Sequence, residues 1–348
     1  MPSAWAAPST ASSAVTLPWT SEKTATRTVK TYQAADTGGM DAAEIFRELG
    51  VTGTACAAPV GGSGIGLLAG RAMSPASVAK IQVALAVEDA IVAGVLDGRE
   101  QRVLPAQSRT AGPTGISLLR DEVRMSVRDL VTQMLSISDN VATDELIALV
   151  GVERVNELTA GLGMSGTRIT GDLRSLLDGM AREAGFGDYP AMAAHDPAAK
   201  PPSLAQLRLM LHGSAALDPA RGWATTAADT VTLLQAIWTG TGAAPAACAA
   251  VREAMATQVT RHRIAAGFGP EVTVAAKSGG LMGLVRNEAA VVSFPDQRQY
   301  AVAVFTRSTP ETTTDPARID AGIGRVARVL IDALRGSPTG PEMFSSHR

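Results

Sequence analysis

The chain predicts a mixed α/β fold of the α+β type, with one antiparallel sheet built from both ends and helices between. Three observations carry this. "VTGTACAAP" and "GSGIGLLAG" read as two strands joined at Pro59 and the following glycines, a hairpin. "VTVAAKSG", "VRNEAAVVSF" and "YAVAVFTR" read as three strands near the C-terminus, the last two joined by a Pro295-Asp296 turn. Helical periodicity dominates the residues between these two groups. Strands at both ends with helices between favour one sheet, one covered face and a separate helical block.

The elements follow in order. Residues 1–38 are rich in Ser, Thr, Ala and Pro and are expected to form a mobile arm. "DAAEIFRELG" is a short amphipathic helix stopped at Gly50. Ser77 to Ala93 is helical and apolar nearly all round, so this helix should be buried. "SVRDLVTQMLSIS" puts Val127, Leu130, Val131, Met134 and Leu135 on one face. "NVATDELIALVG" and "VERVNELTAGLG" follow, each closed by glycine. The stretch 171–224 looks irregular and carries Pro190, Pro197, Pro201 and Pro202, with one helix at "SLAQLRLMLHGS". "TAADTVTLLQAIWTG" is a well-patterned helix, and "ARIDAGIGRVARVLIDALR" closes the fold. A C-terminal tail is expected over 337–348.

Bulk properties narrow the function. The 348 residues are 46% hydrophobic and 18% charged, which suits a globular protein. A net charge of −2 and 4% aromatics speak against nucleic acid as a partner. The longest apolar run, from Ile81, is broken by Glu88 and Asp89, so no membrane span is expected. Cys56 and Cys248 are expected as buried free thiols. The N-terminus lacks the charged and apolar regions of a complete signal peptide, although Ala4-Trp5-Ala6 has the look of a cleavage site. Gly64-x-Gly66-x-x-Ala69 mimics a dinucleotide fingerprint but lies inside the hairpin, the wrong context. His195, His212, His262 and His347 lack metal-ligand spacing, and no metal or cofactor is expected.

One residue asks for chemistry. Only five of the 31 cationic residues are lysines: Lys23, Lys30, Lys80, Lys200 and Lys277. Lys80 stands one turn after Ser77 at the start of the apolar helix, so the two side chains share a face. A serine hydroxyl needs a base to become a nucleophile. A buried lysine amine can be that base, because desolvation lowers its pKa, whereas arginine does not release its proton. Two further motifs follow: Ser138-Asp139-Asn140 between predicted helices, and Lys277-Ser278-Gly279 on a terminal strand.

S-x-x-K, S-D-N and K-[ST]-G in this order resemble the serine β-lactamase and penicillin-binding protein superfamily, most closely the class A branch, over roughly residues 40–335. The resemblance implies a five-stranded sheet flanked by helices, an all-helical subdomain at about 95–255 within a catalytic domain over 39–336, and an active site between them. It implies Ser77 as acylated nucleophile, Lys80 as its base, Ser138 as proton relay, and Asn140 on the substrate's side-chain amide. Lys277 would set a positive field and Ser278 would bind the substrate carboxylate. The N–H groups of Ser77 and Gly280 would form the oxyanion hole. Arg286, nine residues after Lys277 in "VRNEAAVV", matches a family arginine that reaches back to that carboxylate.

The class A E-x-x-L-N segment is missing. Its register falls near Arg174, in "TRITGDLRSLLDGM", and the loop has grown to about 50 residues. Asp172 is the nearest carboxylate in register and the candidate deacylation base, with Asp178 and Glu183 as substitutes. The expectation is a serine hydrolase acting through a Ser77 acyl-enzyme on β-lactams or related amides and esters. The alternatives are a DD-peptidase, esterase or transacylase of the same fold, or a β-lactam-acylated sensor with little turnover. Its partner would be a small β-lactam, peptide or ester substrate. A monomer is expected, and the resemblance implies an extracytoplasmic setting.

Overall fold

The computed structural model describes residues 41–336, so the expected arm over 1–38 and tail over 337–348 lie outside the described residues. The chain opens with α1 (Ala42–Glu48), capped by Asp41, which accepts a hydrogen bond from Glu44 N at 2.9 Å. The hairpin β1 (Val51–Pro59) and β2 (Ile65–Leu67) follows, then a 3-10 turn (Ala76–Ala79) leading into α2 (Lys80–Val92). A second small hairpin is β3 (Gln101–Leu104) with β4 (Val123–Ser126). The helical block is α3 (Val127–Ser136), α4 (Asn140–Val150), α5 (Val152–Gly161), α6 (Leu173–Glu183), α7 (Tyr189–Ala193), α8 (Leu204–His212), α9 (Ala227–Thr239) and α10 (Pro245–Ala256). Strands β5 (Thr273–Leu281), β6 (Val285–Ser293) and β7 (Gln299–Ser308) and the helix α11 (Pro316–Gly336) complete it.

The main sheet is five-stranded and antiparallel in the order β2-β1-β7-β6-β5. β1 pairs with β7 from Val51↔Ser308 to Pro59↔Tyr300, so the first long strand and the last lie side by side at its centre. The period of two divides their side chains between two cores. Ala55, Ala57, Val302 and Val304 pack under Ile45 and Phe46 of α1 and Ile323, Val326 and Leu330 of α11. Cys56, Ala301, Ala303 and Phe305 face the other way, into the core built with α2, α9 and α10. Lys80 through Glu88 of α2 are all buried, as an all-round apolar pattern demands. Val127, Leu130, Val131, Met134 and Leu135 form the buried face of α3, as their spacing predicts. Cys56 and Cys248 are free and buried.

Two readings need correction. The stretch 171–224 is mostly helical: α6, α7, α8 and a short 3-10 turn gather Leu177, Met180, Leu207, Leu211 and Leu217 into a third cluster against Leu284 and Val285. Leu173, Leu177, Met180 and Ala181 carry the helical period, but the surrounding prolines and glycines mask it. The block over about 95–255, expected to be all helical, also carries the hairpin of β3 and β4, whose strands are only four residues each, too short for an alternation to stand out.

Leu330 is fully buried between α11 and the sheet, so Leu330→Ala is expected to cost about 2–5 kcal/mol. Arg328→Ala, on the exposed face of the same helix, should stay within about 0.5 kcal/mol. Denaturant midpoints of the two variants check the contrast.

Candidate active site

Ser77 lies in the 3-10 turn before α2, and Lys80 is the first residue of α2. The residue before Ser77, Ala76, has φ +46°, and Ser138 has φ +64°. Left-handed backbone at a residue with a side chain costs about 1–2 kcal/mol, so two such residues beside one site mark imposed geometry. Asp139 supplies part of the constraint around Ser138. It is fully buried, caps α4 by accepting from Val141 N at 2.9 Å and Ala142 N at 3.1 Å, and accepts from Ile116 N at 2.6 Å.

Lys80 crosses to that turn. Its Nζ donates to Ser138 O at 2.7 Å, Ser138 Oγ at 3.2 Å, Asn140 Oδ1 at 2.9 Å and Asp139 O at 3.4 Å. The side chain is fully buried. Burial pushes its pKa down to about 7, while the charges of Asp139 and Asp144 pull in the opposite direction. Asn140 is gripped at both ends of its amide, since Nδ2 donates to Ala111 O at 2.9 Å.

The opposite wall is β5. Lys277 is fully buried and donates to Ser278 O at 2.8 Å. Its pKa is driven well below the ordinary lysine value by burial and then by the neighbouring charge of Lys80, with Glu288 opposing. Gly279 approaches the Ser77 turn so closely that a Cβ would stand 2.8 Å from Pro75 O and 3.2 Å from Ser77 N. That contact explains the glycine of the K-[ST]-G motif. At Gly280 the nearest atom to an added Cβ is 3.6 Å away, so the restriction is local.

A cleft of about 290 Å³ joins these walls. Ser77, Ser138, Asn140, Ser278 and Gly280 all line it. Arg286 does not. Its guanidinium is clamped on Asp320 of α11, with Nε 2.7 Å from Oδ1 and a second, shorter contact from Nη2 to Oδ2. The arginine that lines the cleft is Arg263, which the motif search missed. It is buried, shares Asp320 at 2.7 Å, and donates to Gly279 O at 2.8 Å and Asn287 O at 2.6 Å. Its only signal in the sequence is the basic run Arg261-His262-Arg263, with no motif around it.

The expected deacylation base also lies elsewhere. Asp172 caps α6 by accepting from Ser175 N at 2.7 Å and borders a different depression with Asp144 and Arg174. Asp178 accepts from Tyr189 N at 2.9 Å, and Glu183 accepts from Ala215 N at 2.7 Å. On the α6 side the cleft is walled by Leu173, Leu176 and Leu177, and no carboxylate lines it among the described residues. Asp144 of α4 fixes that wall by accepting from Leu173 N at 2.7 Å and Arg174 N at 3.0 Å.

The family comparison matches residues 22–334 to the β-lactamase enzyme family. The chain belongs to that family. It is 32% identical over 287 residues to the β-lactamase regulatory protein BlaB of Streptomyces cacaoi, spanning 79% of this chain and 89% of the relative. A β-lactamase structure from Sphaerobacter thermophilus DSM 20745 superposes with TM-score 0.65 at 25% identity, covering 86% of this chain and 98% of the other. A mutant of the class A β-lactamase of the last common ancestor of Gram-negative bacteria gives TM-score 0.66 at 19% identity, covering 84% and 97% of the two chains, a likeness of fold. The five-stranded sheet and its helices are thus those of a class A-like β-lactamase fold. Among the described residues no cluster of potential metal ligands occurs, and no helix is long and apolar enough to cross a membrane.

The close approach at Gly279 makes a prediction independent of chemistry. Gly279→Val should lower stability by about 1–3 kcal/mol through overpacking against the nucleophile turn. Gly280→Ala should be near neutral, and equal costs at the two positions in urea unfolding would contradict the contact.

Proposed function

We propose that the protein forms a Ser77 acyl-enzyme with β-lactams or chemically related amides and releases the acyl group slowly. The observation that carries this is a buried lysine amine, with its pKa near 7, one turn from a serine in a cleft that no described carboxylate lines. Ser77 Oγ attacks the amide carbonyl while Lys80 Nζ accepts its proton. The Oγ–carbonyl bond forms, and negative charge develops on the carbonyl oxygen. The N–H groups of Ser77 and Gly280 would receive that charge. The C–N bond then breaks, and the leaving nitrogen takes a proton through Ser138, whose hydroxyl is 3.2 Å from Lys80 Nζ. Ser278, in the field of Lys277, and Arg263 provide for a substrate carboxylate. Arg286 would act through Asp320, the carboxylate it shares with Arg263. Asn140 retains free amide capacity for a substrate side chain, since each end of its amide has one bond in place.

Hydrolysis of the ester needs a water and a base to activate it. The leucines of α6 offer neither, and Asp172, Asp178 and Glu183 are committed to backbone N–H groups. A persistent adduct follows. The 32% identical relative that bears the name of a regulatory protein favours a reading in which the adduct itself is the output. In that reading acylation reports the presence of a β-lactam, and turnover has little part.

Intact mass and substrate loss, followed together after mixing with a β-lactam, test the proposal. A lasting mass increase in the wild type that is absent in Ser77→Ala is expected. Rapid substrate loss with no adduct would overturn slow release, and an unchanged adduct in Ser77→Ala would overturn the nucleophile.

The acylation rate should also rise with pH through about 7, as Lys80 loses its proton, and level off above it. Burial lowers this pKa relative to the unfolded chain, so the unfolded state binds more protons above pH 7 and stability rises with pH there. A rate that falls or stays flat as pH passes 7 would remove Lys80 from the role of base.

A further inference from the structure

A second cavity, of about 380 Å³, lies behind the nucleophile segment at the end of the sheet. It falls in the size range of small-molecule sites. Arg307 of β7 contributes to its wall, flanked by its strand neighbours Thr52 and Val285. The Arg307 guanidinium is partly buried and donates to two backbone carbonyls, Leu217 O at 3.0 Å and His212 O at 2.6 Å, and to no carboxylate. Arg71 lines the same cavity and makes no ion pair or side-chain hydrogen bond among the described residues. His212, the last residue of α8, also lines it, and its Nε2 is buried without a hydrogen-bond partner.

Arg307 is partly buried and Arg71 exposed, neither guanidinium donates to a carboxylate among the described residues, and like charges brought together repel. Burial first, and then the charge of Arg71, push the pKa of Arg307 below the ordinary arginine value, while Asp218 pulls it back. The nearby acids only partly offset this. Asp218 is held by Arg221 Nε and Ala220 N, both at 2.9 Å, and Glu311 near His212 is fully exposed. Arg208, one turn before His212, adds further positive charge. Met73, Leu217, Pro219 and Val285 supply an apolar surround.

We propose that this cavity binds a small molecule through an oxyanion group, a carboxylate or a phosphate, held between Arg71 and Arg307 with His212 at its side. A guanidinium pair matches the planar or tetrahedral spread of oxygens, and the anion relieves the repulsion that the free cavity carries. Ser74 lines both this cavity and the Ser77 cleft, and its Oγ donates to Ala216 O at 3.0 Å. A ligand here therefore touches the segment three residues before the nucleophile. The site does not depend on whether Ser77 is acylated.

Isothermal titration of the full chain with inorganic phosphate and, separately, with acetate at constant ionic strength tests it. Saturable binding of at least one is expected, weakened about tenfold in Arg71→Gln and unchanged in Arg124→Gln, a surface arginine that lines neither pocket. Arg307 also anchors two carbonyls, so Arg71→Gln is the deciding variant. Preference for phosphate or for acetate identifies which oxyanion the site takes, and either preference supports it. No saturable binding of either anion would overturn the proposal. So would wild-type affinity in Arg71→Gln, or an equal loss in Arg124→Gln, which would make the effect one of net charge and not of this site.

Discussion

Lys80 brings an amine to the junction of α2 and the turn before α4, out of reach of bulk water. Desolvation of its charge is the dominant local energy, and four oxygens from Ser138, Asp139 and Asn140 answer it. Those bonds hold Ser138 in a left-handed conformation that an isolated serine would avoid. They also link α2 to the helical block, so one set of hydrogen bonds ties the two sides of the cleft together. Lys277 brings a second buried amine from β5, and the charge of Lys80 adds to burial in lowering its proton affinity. Lys80 is thus divided between its charged and neutral forms near pH 7.

The other side of the cleft depends on Asp320. A single buried carboxylate on α11 gathers Arg263 and Arg286, with His262 Nε2 at 3.2 Å. Burial alone would raise its pKa, but the two guanidiniums hold it down. Arg263 then reaches Gly279 O and Asn287 O, which ties α11, β5 and β6 together behind the substrate-facing strand. Asn287 Nδ2 carries the tie onward to Ser74 O at 2.9 Å and Pro75 O at 3.1 Å. The Ser77 turn is therefore held from the sheet side, while Lys80 holds the Ser138 turn opposite it.

Between these supports the α6 wall is apolar. Asp144 anchors it by the backbone, and its side chains toward the cleft are leucines. The three motifs thus meet in one cleft that no described carboxylate lines. The β-lactamase architecture is kept at this wall, and what α6 presents to the cleft is leucine.

Much of this was legible in the sequence. The period of two in the terminal strands, the apolar run after Ser77 and the three short motifs marked the sheet, the buried helix and five of the residues that line the cleft, because each depends on local spacing. The roles of Arg286 and Asp172 were not legible in the same way. Both stand at motif-compatible positions, yet a side chain goes to its strongest available partner, and those partners are Asp320 on α11 and the N–H of Ser175 at the start of α6. Arg263 had no motif at all and reaches the cleft because Asp320 and two strand carbonyls orient it. The sequence by itself determined most of the elements and the chemical types available. Tertiary structure decided which charges meet, because pairing and desolvation act through space between residues far apart in the chain.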